Sequence, residues 1–340
     1  CNICASCYNQ GIPVRCTQNP SMGEEWRRGW HPEIMKPKTS EESILVIGGG
    51  PAGLETTLSL ARRGYEVTLA DDHKELGGRI NRESILPGMS SYRRVTDYRT
   101  NQIQQLPNVN VFLENELQSK DILGLGFDHV VTATGSTWEL SILDTHFVPQ
   151  PVEKQEGVFT PDDVLKGCEL QSPVVIYDFD YYYMGGLIAE YIADLGHEVT
   201  IITPFENVSP WSFMSNEVNA IKAKMYEKNI KTITEYRISK LKNESLTLTH
   251  KITKEMMDVD RRSLVIVGMR LPVDSLFKEL SANQSLLEDS GIKTLNNIGD
   301  SNSPGAVFHA VYAGHMYANT FDSGIDDDPY DFKFEYPVIQ

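Results

Sequence analysis

The hydrophobic residues of this chain fall into short apolar runs, and the first clear run is followed by a helical spacing of apolar positions. Residues 43–47 are almost continuously apolar, and Leu54, Leu58 and Ala61 then recur at helical intervals. The run is typical of a buried strand, and the spacing after it is typical of a helix with one apolar face. The pattern therefore predicts the strand–turn–helix unit of an α/β protein.

A glycine-rich turn lies between this strand and this helix and reads Gly48-x-Gly50-Pro51-Ala52-Gly53. In a dinucleotide-binding turn, the first glycine permits the tight bend, the second lets backbone approach a pyrophosphate, and the third lets helix and strand pack closely. The pyrophosphate lies at the helix N-terminus, where free N–H groups favour negative charge. We predict an adenine-nucleotide site here; the alternative is a glycine turn that only packs within an ordinary α/β sheet.

A carboxylate is expected at the end of the next strand, residues 66–70. That strand ends at Asp71 and Asp72, and Asp71 follows Gly53 by 18 residues. This is close to the spacing of roughly 20 residues at which an acidic side chain binds a ribose hydroxyl. The remaining predicted binding positions lie in glycine-containing turns that bring backbone close to the nucleotide; they are Gly78, Arg79, Thr134, Gly135, Gly299 and Asp300.

The order of strand, turn and helix recurs after about residue 140. Residues 173–178 and 198–203 are predicted strands, with a helix starting at Gly185 between them. The turn of this copy contains Asp178 and Asp180 followed by three tyrosines, so carboxylates would face a pyrophosphate and rings would block its approach to backbone. We predict that this copy binds no nicotinamide cofactor. A strand at residues 262–272 is predicted to close the unit.

These patterns divide the chain into three predicted parts. Residues 1–40 form a cysteine segment and a connector. Residues 41–140 and 285–340 form a nucleotide-binding domain. Residues 141–284 form an inserted domain that is similar to an NAD domain but lacks its binding turn.

Charge and composition narrow the class of protein. The net charge of −16 argues against a nucleic-acid partner and against anionic membranes. No apolar run reaches the length of a membrane span, and no signal-peptide layout is present. We therefore predict a cytoplasmic protein. Because the chain starts at Cys1, inside a motif and without a methionine, we also expect it to be a piece of a longer protein.

Four of the five cysteines lie within the first 16 residues, at Cys1, Cys4, Cys7 and Cys16. Three thiolates at this tight spacing, with a fourth after a short excursion, suit the corners of a [4Fe–4S] cluster. A zinc site usually splits its ligands into two separated pairs, so zinc and redox thiols stay as alternatives. Cys168 stands alone and is predicted to be buried and inert.

No catalytic constellation is predicted. Neither a Ser/His/Asp arrangement nor a carboxylate pair stands out, and no redox CxxC follows either predicted turn. We interpret His31, in the connector, as a hydrogen-bonded structural histidine. The tail at residues 321–340 is interpreted as a packing segment, because it combines an acidic run with aromatic residues.

Taken together, these segments resemble the C-terminal portion of the trimethylamine and histamine dehydrogenase family. The resemblance rests on the cysteine run, residues 16–33, the glycine turn and the sequence Ala133-Thr134-Gly135, and it covers essentially the whole chain. Residues 16–33, residues 86–88 and the region that begins with the three tyrosines are most similar to the histamine-type branch.

The resemblance implies how such a protein works. In this family an N-terminal barrel with covalently attached FMN oxidises the amine, a [4Fe–4S] cluster takes electrons one at a time, and an external acceptor such as an electron-transfer flavoprotein receives them. The C-terminal part has a glutathione-reductase-type fold, with its second Rossmann-like domain inserted in the first, and holds ADP where relatives hold FAD. The full-length protein would be an oxidoreductase acting on amines and would form a homodimer.

Carried over by position, the four N-terminal cysteines would be the cluster ligands, the three glycines of the turn would hold the pyrophosphate, and Asp71 would bind the ribose. No amine-oxidising residue can be assigned in this chain. Two alternatives stay open. One is the FAD- and NADPH-binding half of an enoyl-reductase-type enzyme, and the other is a nucleotide-binding structural module with zinc at the cysteines.

Overall fold

A five-stranded parallel sheet forms the centre of the first part of the chain. The computed structural model describes residues 1–24 and 34–322, and the predicted α/β class with parallel sheets is confirmed there. The strands are β1 (Ser43–Ile47), β2 (Glu66–Ala70), β3 (Val109–Phe112), β4 (His129–Thr132) and β17 (Thr294–Asn297). Their order is β17-β4-β1-β2-β3. Because β17 pairs with β4, the chain returns to its first sheet after building the second.

Helix α2 (Pro51–Arg63) connects β1 to β2 and is the most enclosed helix of this part. It begins with proline at a position where the helix needs no N–H donor. A Cβ on Gly314 would lie 2.4 Å from the carbonyl oxygen of Ala52, so the C-terminal helix packs on α2 with no room for a side chain. The helices around this sheet are α2, α3 (Arg79–Glu83), α4 (Arg93–Ile103), α5 (Ser119–Gly124), α9 (Ser275–Ser281), α10 (Gln284–Asp289) and α11 (Val307–Thr320).

A second five-stranded parallel sheet is built from the middle of the chain. Its strands are β8 (Val158–Phe159), β9 (Val174–Asp178), β10 (Val199–Thr203), β11 (Lys231–Thr234) and β15 (Ser263–Val267), in the order β11-β10-β9-β15-β8. Every residue of β9, β10 and β15 is buried, as expected for strands covered on both faces. The helices of this part are α6 (Pro161–Leu165), α7 (Met184–Asp194) and α8 (Val218–Glu227).

The strand predicted at residues 262–272 is broken in the structure. It forms β15 and a separate short strand, β16 (Arg270–Pro272), and the break falls at Gly268. A Cβ on Gly268 would lie 2.3 Å from the ring of Phe179, so this ring packs directly on the glycine backbone. The strand β15 also lies between β9 and β8 in the interior of the sheet and not at its edge.

Short antiparallel ladders complete the described part of the chain. β5 (Ser136–Trp138) pairs with β16 where the chain passes between the two large sheets. β6 (Ser141–Leu143) pairs with β7 (Pro149–Pro151). The remaining strands form a three-stranded meander of β12 (Tyr236–Leu241), β13 (Ser245–His250) and β14 (Met256–Asp260).

The N-terminal cysteine segment packs against the second part of the chain. Two asparagines hold helix α1 (Ile3–Gln10) in place: the side chain of Asn2, just before the helix, donates to the carbonyl of Ser215 at 3.3 Å, and that of Asn9, in its last turn, donates to the carbonyl of Met214 at 2.7 Å. Three 3₁₀ turns lie at Ser90–Tyr92, Pro210–Phe213 and Gly299–Ser301.

Some predictions fall outside these elements. The interpretations of His31 and of the acidic run in the tail lie outside the described residues. The boundaries of the three parts stay predictions. Among the described residues, none of the helices combines the length and the apolar character that crossing a membrane requires.

The tight contact between α2 and α11 can be tested with Gly314→Ala. Alanine normally stabilises a helix interior relative to glycine, but here its Cβ would overlap the Ala52 carbonyl and approach Thr56 Oγ1 at 2.9 Å. We expect a loss of about 1–3 kcal/mol in the free energy of unfolding, measured by urea titration. Gly124→Ala, at the end of α5 with nothing within 4 Å of the new Cβ, is the control and should lose nothing. Equal stabilities for the two variants would contradict the packing described.

Candidate functional site

One cavity of about 680 Å³ is lined by residues from the first sheet, from the loop between β9 and α7, and from the cysteine segment. Its walls include the glycine turn after β1, the loop that leads into α3, the turn after β4, the start of α11 and the start of α7. The predicted positions that line it are Gly48, Gly50, Pro51, Ala52, Asp71, Asp72, Gly78, Arg79, Thr134, Gly135, Asp300 and Cys7.

The three glycines of the turn have different surroundings. A Cβ on Gly53 would lie 1.8 Å from the carbonyl oxygen of Gly48, so α2 packs on β1 at backbone distance. Gly48 has a φ of 109° and lies against the Ala133 carbonyl, with only 2.3 Å available to a Cβ. Gly50 has nothing within 4 Å of a Cβ position and borders the open cavity. Gly50 is therefore the glycine whose missing side chain leaves room for a ligand.

Asp71 braces this turn from the neighbouring strand. It is 6% exposed, its Oδ2 accepts a hydrogen bond from the Gly49 N–H at 2.5 Å, and its Oδ1 accepts one from the His73 N–H at 2.8 Å. Asp72 is exposed and pairs with His73. Asp71 is thus held at the cavity wall, whereas Asp72 lies at the rim.

The loop before α3 lies directly against the glycine turn. The N–H of Gly77 donates to the Gly49 carbonyl at 2.8 Å, and a Cβ on Gly78 would lie 3.0 Å from the Cα of Gly50. Arg79, which follows, is bound by the protein's own groups. Its guanidinium pairs with Glu83 and Asp162 and donates to the carbonyl of Ser136. Arg79 therefore joins the two parts of the chain at the cavity.

The turns after β4 and β17 are also engaged in internal contacts. Thr134 Oγ1 donates to the Val273 carbonyl at 2.5 Å, and the N–H of Val273 donates to the carbonyl of Gly135 at 2.9 Å. Gly299 packs on α2, where a Cβ would lie 2.6 Å from the Cβ of Ala52, and it does not line the cavity. These contacts hold the turn after β4 at the cavity, and the Thr134 hydroxyl already donates its hydrogen bond within the protein.

Asp300, another predicted ligand, is also held by hydrogen bonds within the protein. One carboxylate oxygen accepts from Arg270 and from Ser136 Oγ, and the other accepts from the N–H of Gly305 at 2.9 Å. Both oxygens of Asp300 are therefore occupied by the protein itself.

Two of the four N-terminal cysteines, Cys4 and Cys7, lie in helix α1, while Cys1 precedes it and Cys16 follows it. Cys7 is buried and lines the cavity, Cys1 and Cys4 are exposed, and Cys16 is partly buried. The backbone N–H of Gln18 donates to Cys16 Sγ at 3.4 Å. Within residues 1–24 and 34–322, no three of these sulfur atoms lie within 4.8 Å of one another.

Cys168 differs from this group. It is partly buried on the second part of the chain, and burial together with the nearby Asp163 raises the pKa of its thiol to about 11. A thiol with a raised pKa is protonated at neutral pH and is a poor nucleophile.

The turn of the second unit is filled by its own side chains. Asp178 is 1% exposed, and a Cβ on Gly185 would lie 2.2 Å from Asp178 Cγ, so this carboxyl occupies the space beside the first turn of α7. Burial raises the pKa of Asp178 well above its ordinary range, and Asp180 adds to the effect. The ring centroids of Tyr182 and Tyr183 lie 4.0 Å apart, beside Trp211.

Sequence reasoning missed several residues at the cavity. Trp138 is enclosed by two guanidinium groups, with Arg79 at 5.9 Å and Arg270 at 5.6 Å from its ring. Glu83 pairs with Arg79 one helical turn earlier, a spacing that the sequence does offer as a signal. Nothing in the sequence points to Trp138 or Arg270, because their partners come from distant segments.

Two known protein families match parts of the chain. The family described as "Pyridine nucleotide-disulphide oxidoreductase" matches residues 42–174, and the family described as "OYE-like second alpha/beta domain" matches residues 159–259. The first match confirms the predicted glutathione-reductase-type fold, in which two Rossmann-like units share one chain.

Individual relatives are similar over nearly the whole chain. Dimethylamine dehydrogenase of Hyphomicrobium sp. (strain x) is 31% identical over 97% of this chain and 48% of its own length. The structure of histamine dehydrogenase from Rhizobium sp. 4-9 is 39% identical with a TM-score of 0.93, covering 100% of this chain and 50% of that protein. A 6-hydroxypseudooxynicotine amine oxidase from Pseudomonas geniculata N1 is 36% identical with a TM-score of 0.88, covering 95% and 48%. The chain spans about half the length of these relatives.

The partly buried carboxyl of Asp180, at the cavity wall, predicts a pH dependence of stability. Burial raises the pKa of Asp180 to about 6, against the opposing effects of Arg270 and the backbone amides of Tyr182 and Met184. The folded protein therefore binds this proton more tightly than the unfolded chain, so Asp180 makes stability fall as pH rises from about 4 to about 6. Asp180→Asn keeps an acceptor oxygen but does not ionise.

We expect Asp180→Asn to gain up to about 3 kcal/mol in the free energy of unfolding above pH 6, with no gain near pH 4. Urea titrations at pH 4, 5, 6 and 7.5 measure this difference. Asp289→Asn, at an exposed carboxyl, is the matched control and should show no such trend. A constant difference across the series would contradict the assignment.

Proposed function

Because the chain belongs to the trimethylamine/histamine dehydrogenase family, we propose that it is the electron-relay and ADP-binding portion of an iron–sulfur flavoprotein amine dehydrogenase. The observation that carries the proposal is that Cys7 and the glycine turn at residues 48–53 border one cavity, while the second turn is closed by Asp178. A nucleotide site and a thiol group are adjacent, and the neighbouring unit has no open turn for a nicotinamide cofactor.

The geometry of the first turn supports an adenine nucleotide. The start of α2 faces the cavity at Gly50, where free N–H groups favour a pyrophosphate, and Asp71 is held at the wall to accept from ribose hydroxyls. Our choice of ADP over FAD follows the family resemblance. Asp300, which accepts from Arg270, Ser136 and Gly305, lies at the wall of the same cavity.

The spacing of the four cysteines supports a [4Fe–4S] cluster over a single zinc ion. Three thiolates lie close together in sequence and a fourth follows after a short loop, whereas zinc ligands usually form two separated pairs. In a cluster each thiolate binds its own iron. Cys1, Cys4, Cys7 and Cys16 would hold such a cluster, which accepts and releases one electron at a time when it is bound. The protein contributes the burial of Cys7 and the N–H donated to Cys16.

The remaining elements of the proposal concern the other half of the protein. We propose that an amine is oxidised in an FMN barrel that precedes this portion, since the chain spans only about half of its relatives. Electrons would pass through the cluster to an external acceptor such as an electron-transfer flavoprotein. A homodimer is proposed for the full-length protein.

A second candidate is favoured by one observation, the match to the "OYE-like second alpha/beta domain" family. In that case this half would bind FAD and NADPH and supply electrons to a reductase barrel. The closed turn at Asp178 speaks against it, because a buried side chain occupies the place where a pyrophosphate would approach α7. Identification of the nucleotide released by acid, together with NADPH binding, separates the two candidates.

The cluster assignment predicts that Cys16→Ser lowers the iron and acid-labile sulfide of anaerobically purified protein from about four of each per chain to near zero. A serine hydroxyl replaces the thiolate that one iron requires, so the cluster is lost or degraded. Cys168→Ser is the matched control and should keep the full content, because Cys168 lies in the second part of the chain. Zinc in place of iron in the unsubstituted protein would refute the cluster.

The nucleotide assignment predicts that Gly50→Val removes the bound nucleotide without unfolding the protein. Its φ of −77° and ψ of −176° suit any residue, and nothing lies within 4 Å of the new Cβ, so the valine methyls enter only the cavity. We expect ADP affinity to fall at least about tenfold by isothermal titration. Gly124→Val, outside the cavity, should bind normally; equal affinities for both variants would place the nucleotide elsewhere.

A further inference from the structure

Arg99 is a fully enclosed cation between the predicted nucleotide helix and the predicted cluster loop. Its side chain is 1% exposed. Because arginine is almost never fully buried unless it is paired, such burial points to specific partners. The guanidinium makes three contacts in three directions. Nε donates to Glu55 Oε2 at 2.6 Å, Nη1 donates to the Val95 carbonyl at 2.7 Å, and Nη2 donates to the Gln18 carbonyl at 3.2 Å.

Gln18 connects this guanidinium to a predicted cluster ligand. Its carbonyl oxygen accepts from Arg99, while its N–H donates to Cys16 Sγ at 3.4 Å. The carbonyl and the N–H belong to the two peptide units on either side of the Gln18 Cα, so anchoring the carbonyl restricts the backbone rotation that sets the direction of the N–H. Cys16 lies in a loop and not in a helix, so its own segment gives it little other orientation.

Glu55 holds Arg99 in place from the nucleotide side. It lies in α2, two residues after Gly53, and is 4% exposed. Its other oxygen, Oε1, accepts from Ser59 Oγ at 2.9 Å and lies 2.8 Å from His315 Nδ1. Although burial opposes ionisation, Arg99 and His315 hold the pKa of Glu55 below its ordinary range. A charged, fully bonded carboxylate thus fixes the guanidinium at one end.

We propose that Arg99 is a positioning residue that aims the N–H of Gln18 at Cys16 Sγ and thereby tunes the redox potential of the cluster bound there. The inference rests on the proposed function, because it needs the cluster. A hydrogen bond to a ligating sulfur stabilises the more negative, reduced state, and such bonds are among the factors that set cluster potentials. Only the planar fork of arginine reaches Glu55, Val95 and Gln18 at once.

Arg99→Lys tests this with the intact, anaerobically purified protein. Lysine keeps the positive charge beside Glu55 but has a single ammonium group and cannot bridge to the Gln18 carbonyl. We expect the cluster potential, measured by redox titration followed by electron paramagnetic resonance, to shift to more negative values. We also expect the signal of the reduced cluster to change shape, and iron release to a chelator to become about 10- to 100-fold faster.

Arg62→Lys is the matched control. Arg62 also bridges α2 and α4, through Tyr98 Oη at 3.2 Å and Gln102 Oε1 at 2.9 Å. It is exposed, and among the described residues none of its hydrogen bonds goes to residues 1–24. The cluster potential and the iron-release rate of Arg62→Lys should match those of the unsubstituted protein. Arg99→Lys should still bind ADP, because the N-terminal turn of α2 is unchanged.

The outcomes are distinguishable. If the unsubstituted protein holds an iron–sulfur cluster and Arg99→Lys has the same potential, signal and iron-release rate, the inference is overturned and the proposed function stands. If the unsubstituted protein holds no cluster, both are overturned. Should Arg99→Lys fail to fold, Glu55→Gln removes the charge that holds Arg99 and is expected to shift the potential in the same direction; an unchanged potential in that variant also overturns the inference.

Discussion

The backbone-to-backbone contact between β1 and α2 is the constraint on which the first part of the structure depends. Gly53 approaches the Gly48 carbonyl so closely that any Cβ would overlap it, and Gly314 does the same to Ala52 from the opposite side. Helix α2 is therefore held between the sheet and α11 without a layer of side chains. Its N-terminus is fixed at the cavity, and Glu55 is fixed one turn later at Arg99.

Charged side chains at the cavity join the two parts of the chain. Arg79 from the first part pairs with Asp162 from the second, and Arg270 on the returning strand pairs with Asp300. Both guanidinium groups lie against Trp138. Because buried charges must be paired and hydrogen-bonded to be tolerated, these contacts restrict the relative orientation of the two sheets. In both pairs, a side chain that the sequence analysis assigned to ligand binding, Arg79 or Asp300, is instead paired within the protein.

The sequence predicts the parts of this fold that depend on local pattern. The glycine turn, the strand before it and the helix after it are all recognisable because each glycine has a distinct steric reason and the apolar period changes at the turn. The return of the chain to the first sheet near Gly299 is also visible as a strand end followed by a glycine turn. The cysteine spacing indicates metal chemistry but not how the sulfur atoms are arranged.

Other features could not be predicted because they depend on distant contacts. At the break near Gly268, the ring of Phe179, from the loop that follows β9, packs on the glycine backbone. The network of Arg99, Glu55 and His315 joins residues that lie 44 and 260 positions apart in the sequence. Periodicity marks such residues as polar positions on helices, and only the tertiary structure shows that they are buried together.

The side chain of Asp178, which fills its own turn, has a consequence for how electrons could enter and leave. In flavoproteins with an open second turn, the cell's NADH and NADPH can reach the cofactor and exchange hydride with it. Here the carboxyl of Asp178, which belongs to the strand itself, lies against Gly185 at the start of α7 and fills the turn. In a relay of the proposed kind, the closed turn keeps electrons taken from the amine from passing to the cell's pool of NADH and NADPH.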